Sequence, residues 1–221
     1  MTDLSYDVVF SRRKTIALSL DPGGNLTVRA PLRTGKNVIE DVILRHRSWI
    51  IQKQHALAEA KSAHPEVRIC DGAVLPYLGG SLTLQIADVA EVKQIGDTLQ
   101  IPPSADGRVL VAWLKDQLRP ILTERCAYFG EKMAVRPQSV GITSAKTRWG
   151  SCSASNRLNF TFRLIFCPPD VIDYVVIHEL SHIRHKNHSA QFWQQVGSVL
   201  PEYASQRLWL KKNALLMEIF A

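Results

Sequence analysis

His178-Glu179-Leu180-Ser181-His182, with His188 six residues further on, is the stretch that decides the reading of this chain. Four of the seven histidines fall between positions 178 and 188. Val175-Val176-Ile177 runs into the stretch and gives a helix here a buried side. On such a helix His178 and His182 project from one face, one turn apart. Two imidazoles so placed can share a metal ion. Zinc suits them, because it takes neutral imidazole and leaves a position open in hydrolytic sites. Glu179 is rotated about 100° from His178. Its carboxylate can therefore serve as a base toward an activated water without being a ligand. His188 is the natural third ligand. Six residues is not a same-face helical spacing, so His188 must come from chain that has left the helix. His185, three residues after His182, is the rival for that place and otherwise a polar residue at the helix exit.

The wider composition sets limits. The chain has 221 residues, 46% of them apolar, with both charge signs present, which fits a folded chain with one sizeable core or two small subdomains. No run approaches the roughly 20 apolar residues of a membrane span. Met1-Thr2-Asp3-Leu4-Ser5-Tyr6-Asp7 lacks a basic-then-apolar leader pattern, and a cytosolic location is expected. Cys70, Cys126, Cys152 and Cys167 are widely spaced and read as free thiols. The net charge of +7 and pI near 9.4 leave nucleic-acid contact open. The basic residues are spread, however, as in Arg12-Arg13-Lys14 and Lys211-Lys212, and solvated faces are the simpler reading.

Outward from the motif, Pro168-Pro169-Asp170 starts the helix, with Asp170 as N-cap and Asp173 near its positive end. Upstream, strands are expected from Ser139 to Arg148 and from Leu158 to Phe166. Residues 106–134 form a long helix with Val109, Trp113, Leu118, Ile121, Leu122, Cys126, Phe129 and Met133 inward, kinked or split at Pro120. Downstream, a helix buries Phe192, Trp193, Val196 and Val199. A last helix over about 202–218 buries Leu208, Trp209 and Leu215.

Nearer the N-terminus, residues 6–31 read as a hairpin around Asp21-Pro22-Gly23-Gly24-Asn25. One amphipathic helix is expected over 37–62, ended by His64-Pro65. Short strands follow between 73 and 101. The fold class is α+β: a β-rich subdomain over 1–103 with one helix, then a zincin-like catalytic part over 104–221 built of a small sheet, the metal helix and packing helices.

The developing oxyanion of acyl transfer needs a donor beyond the metal. Arg148 and Tyr203 are the candidates. A peptide can add as a strand to an exposed sheet edge, for which Lys146-Thr147-Arg148 is the candidate segment.

Arg148-Trp149-Gly150-Ser151-Cys152-Ser153, Leu158-Asn159, Tyr174 through His182, Asn187-His188-Ser189, Phe192-Trp193, Pro201-Glu202-Tyr203 and Trp209-Leu210 together resemble the YgjP-like family of predicted zinc metallopeptidases, which is related to the SprT-like metalloproteases. The resemblance implies His178, His182 and His188 as zinc ligands, Glu179 as the catalytic residue and a peptide or protein substrate. The ligand spacing also matches that of metzincins, except that His185 stands where those have Gly. Two other readings compete. One is a metal-dependent hydrolase of nucleotides or phosphoanhydrides, with basic residues near Arg148 neutralising phosphate. The other is a non-enzymatic zinc module that binds nucleic acid or a partner, and SprT-like relatives do process DNA-bound proteins. Glu179 argues against the second, since a structural zinc prefers four protein ligands and has no use for a base.

Overall fold

A computed structural model of the chain describes residues 4–21, 23–63 and 69–220, the side chains of 60–63 excepted. Contacts divide the chain into two compact units, Met1–Pro65 and Glu66–Ala221.

In the first unit, β2 (Ala17–Leu20) pairs antiparallel with β3 (Leu26–Pro31), as the turn residues between them require. A strand not anticipated, β1 (Tyr6–Ser11), lies parallel to β3 on its other side. The expected single helix is two, α1 (Lys36–Arg45) and α2 (Arg47–Ala63). The break falls at His46, whose ring Nδ1 bonds the Val42 carbonyl at 2.9 Å while its N–H is shared between the Val42 and Ile43 carbonyls. Ile39, Ile43 and Ile50 meet Leu26, Val28 and Ala30 in a small core of their own. Val38 and Trp49 are exposed. The His64-Pro65 helix stop lies outside the described residues.

In the second unit, β4 (Val74–Tyr77), β5 (Gly80–Ile86), β6 (Lys93–Ile95) and β7 (Thr98–Ile101) form a sheet in the order β4-β5-β7-β6. Leu75, Leu82, Leu84, Leu99 and Ile101 are buried in the same core as the helices that follow. These strands therefore belong with the C-terminal part, and the boundary between compact units falls at 65/66, not at 103/104.

Asp106 caps α3 (Gly107–Lys132), accepting from the N–H groups of Arg108 and Val109. Pro120 sits inside α3 without splitting it. The buried stripe is Leu110, Leu114, Leu118, Leu122 and Cys126, a repeat of four. Val109, expected inward, is exposed.

A second sheet has the order β8-β10-β9. Its strands are β8 (Ser139–Thr143), β9 (Gly150–Cys152) and β10 (Arg157–Thr161). Both expected long strands are thus short. The chain leaves β8 at Thr143, and it leaves β10 at Thr161 for a 3-10 segment at Phe162–Phe166. Lys146-Thr147-Arg148 lies in the connection between β8 and β9 and is not a sheet edge; the edge near it is β9.

The motif helix is α4 (Pro169–Arg184). Pro168, not Asp170, is its N-cap residue, and no side chain caps it. Asp170 instead accepts from Gln206 Nε2 at 3.1 Å, and Asp173 makes a two-point ion pair with Arg125 of α3. Val171, Ile172, Val175, Val176, Ile177 and Leu180 are all buried, so α4 is a core helix on most of its circumference. The chain continues as α5 (Ala190–Val199), capped by Ser189, and α6 (Tyr203–Lys212). A 3-10 turn at Ala214–Glu218 ends the expected last helix early. Leu208, expected inside, is half exposed, while Leu215 is buried. The fold is α+β. Among the described residues no helix is long and apolar enough to cross a membrane.

Candidate metal centre

Helix α4 brings His178 and His182 to one face, and the loop after it returns His188 to them. Ligand-type atoms of the three rings lie within 4.8 Å of one another. The Nε2 atoms of His178 and His188 are 3.1 Å apart. His185 takes no part through its ring. Its backbone is extended, with φ −119° and ψ 98°, so the helix exit needs no left-handed residue and hence no Gly. Its carbonyl accepts from His182 Nδ1 at 2.9 Å. That bond places the proton on Nδ1 and frees the Nε2 lone pair toward the other rings, the usual support for a metal-ligating imidazole. His178 Nδ1 has no such support; it is buried without a partner.

Aromatic rings set the cluster. Fully buried Phe192 lies 4.9, 4.6 and 4.8 Å, centroid to centroid, from His178, His182 and His188. Trp193 stacks on His188 at 5.7 Å and on Tyr203 at 5.4 Å. Burial, with its histidine neighbours and Arg207 adding to it, drives the pKa of His178 down to about 3. Burial and the charges nearby also lower His182, against the support of the His185 carbonyl. Both rings are therefore neutral near pH 7, the form that ligates. No carboxylate is among the three. This donor set fits a zinc-type ion with a position left over.

Glu179 lies about 100° round the helix from His178 and is 5% exposed. Its carboxyl packs on the backbone of β9. A β-carbon added at Gly150 would lie 2.6 Å from Glu179 Cγ and 2.7 Å from Oε1, so only glycine fits. Burial pushes the carboxyl up to about 7, with the charge of Arg148 pulling it back. The Gly150 contact was missed in the sequence; the signal available was a glycine next to strand-forming residues, which marks close backbone approach.

Of the two remaining candidates, Arg148 is exposed in the connection before β9, close enough to act on Glu179. Tyr203 opens α6, half-buried against Trp193. Arg207, one turn further along α6, was not singled out by its sequence context. Its guanidinium lies 5.0 Å from the Trp193 ring centre.

Imidazoles gathered on a helix of an α+β domain, beside a buried glutamate, are the architecture of a metallopeptidase-type hydrolase. The YgjP-like metallopeptidase domain matches residues 14–213, and the chain belongs to that family. No curated protein and no solved structure matches it. The family implies a bound metal ion and a peptide or protein substrate.

Proposed function

We propose that this chain is a zinc-dependent peptidase in which His178, His182 and His188 hold the ion and Glu179 is the general base. The observation that carries the reading is the placement of Glu179. It follows a ligand directly in the chain, avoids the ligand cluster, and is pinned by the bare backbone of Gly150. An ion held by His178, His182 and His188 would supply Lewis acidity, which brings the pKa of a bound water toward ~7. Glu179 takes the proton of the attacking water and delivers it to the leaving amine. A carboxyl held near pH 7 by burial is suited to both transfers. Arg148, whose charge acts on Glu179, and Tyr203, which stacks on Trp193, are the groups we assign to steady the negative charge that develops.

The substrate path is along β9. Ladder bonds from Thr161 N–H to the Trp149 carbonyl and from Ser153 N–H to the Arg157 carbonyl bracket that strand. With Ser151 opposite Asn159, antiparallel alternation directs the backbone groups of Gly150 and Cys152 away from β10. A peptide main chain can bond there as an added strand beside Glu179. The test is cleavage of a mixed peptide library, followed by chelation and zinc return. Cleavage that stops with chelator and resumes with zinc supports the reading. A zinc-loaded protein that leaves every peptide intact contradicts it.

A further inference from the structure

Three cations stand around the cluster. Arg148 approaches from the connection before β9, Lys186 from the loop after α4, and Arg207 from α6. Lys186 is fixed in place: its Nζ bonds Asn156 Oδ1 at 2.7 Å and the Ser153 carbonyl at 3.4 Å, and lies 4.0 Å from Cys152 Sγ. Arg207 rests on Trp193, the ring that stacks on His188. Each charge reaches the site. Lys186 borders Cys152 and Ser153 at the end of β9, Arg207 lies on the ring that stacks on His188, and Arg148 comes two residues before Gly150, which meets Glu179. Among the described residues none of the three has a carboxylate within ion-pair distance. Unpaired cations occur elsewhere on this surface; these are set apart by converging, from separate elements, on one small place. Glu179 is the carboxylate acting within it, and a bound dication adds further positive charge.

We infer that Arg148, Lys186 and Arg207 recognise carboxylates of the substrate, so that the site takes peptides acidic on either side of the scissile bond. The inference rests on the peptidase reading and names the substrate class for it. The geometry favours a peptide over a nucleic acid. Lys186 is anchored to Ser153 and Asn156 at the end of β9, the strand that a peptide main chain can join. Two sources of carboxylate fit the chemistry, an Asp or Glu side chain and a chain's own C-terminus. Arg207 is the residue to test. It is exposed, its removal disturbs no bond in the core, and Lys211, an exposed cation one turn on in the same helix, provides a matched control.

The experiment uses the zinc-loaded full chain and four peptides of one sequence: Glu or Gln flanking the scissile bond, each with a free or amidated C-terminus. Binding is read on Glu179→Gln, turnover on the wild type. Glu peptides are expected to bind about 10-fold tighter than Gln peptides, the scale of one charge-assisted hydrogen bond. Arg207→Glu should erase the difference and Lys211→Glu should not. A preference that follows only the free C-terminus, and is lost in Arg207→Glu, keeps carboxylate recognition and assigns it to the chain end. Equal binding of all four peptides overturns the inference. So does an equal effect of Lys211→Glu and Arg207→Glu, or an oligonucleotide that displaces the Glu peptide while Gln peptides bind as well. If Glu peptides bind selectively and wild type cleaves none, carboxylate recognition stands and the peptidase reading falls.

Discussion

Gly150 and Glu179 are in contact across two elements: a β-carbon on Gly150 would lie 2.6 Å from Glu179 Cγ and 2.9 Å from Cδ. Those distances are below any that real atoms keep, so Gly150→Ala must push the carboxylate away. The nearest atoms such a methyl meets are those of the carboxyl side chain, not the imidazoles. The expected outcome is zinc retained and kcat down about 100-fold, the cost of misplacing a catalytic group by an ångström. Metal content and turnover, measured together, check it. The shorter Glu179→Asp in the same chain should relieve part of the clash, so the double variant should lose less than the product of the single losses.

His185 supports the centre by its carbonyl, not its ring. His185→Ala should therefore leave zinc binding within a few-fold of wild type. His188→Ala removes one of three ligands and should weaken binding by at least 100-fold. Competition with a zinc chelator distinguishes the two. Equal losses would restore His185 as a ligand.

Phe192 touches all three imidazoles and is fully buried. Phe192→Ala should cost about 3–5 kcal/mol of stability through the cavity left in the core. Zinc affinity should fall as well, since the rings lose their common backing. Denaturant unfolding with and without zinc reads both effects. A large stability loss with unchanged affinity would show that Phe192 does not order the ligands.

The zinc-free protein should carry a pH signature of Glu179. Its carboxyl is held up at about 7, against 4.5 for an ordinary glutamate. Between those pH values the folded chain binds more protons than the unfolded one, so this group makes stability fall as pH rises through the window. The full contribution is about 3 kcal/mol, from about 1.4 kcal/mol per unit. His178, depressed to about 3, acts in the opposite sense, losing stability as pH falls below about 6.5. Glu179→Gln isolates the carboxyl: the stability gap between wild type and variant should move against the wild type from pH 4.5 to 7. A gap independent of pH would contradict the burial assigned to Glu179.

The placement of His178, Glu179 and His182 was legible because the helical period fixes it; the structure adds that His188 gathers with the two helix histidines. The supports were not. Gly150 meets Glu179 through the pairing of a short edge strand, which no local pattern predicts. Arg207 looks like any exposed arginine on a helix until Trp193 is seen beside it. In the first two turns of α3 the sequence reads one residue early, because Val109 and Leu110, and again Trp113 and Leu114, are adjacent apolar pairs that satisfy either register; from Leu118 on the expected and buried positions largely agree. At His46 a polar residue interrupts what reads as one amphipathic run, and its ring bond to a backbone carbonyl ends the helix. The sheet strands of 74–101 were placed with the N-terminal part by their order in the chain. Their apolar face, with Leu75, Leu84 and Leu99, is buried in the core that α3 and α4 share.

The zinc content and peptide turnover of Glu179→Gln, measured on one preparation, bear most directly on the chemistry. Zinc bound as in wild type, with turnover lost by at least 1,000-fold (about 4 kcal/mol), is the expected result. Undiminished turnover with zinc in place would contradict the role of Glu179 as base. Loss of the zinc itself would make Glu179 a ligand rather than a base.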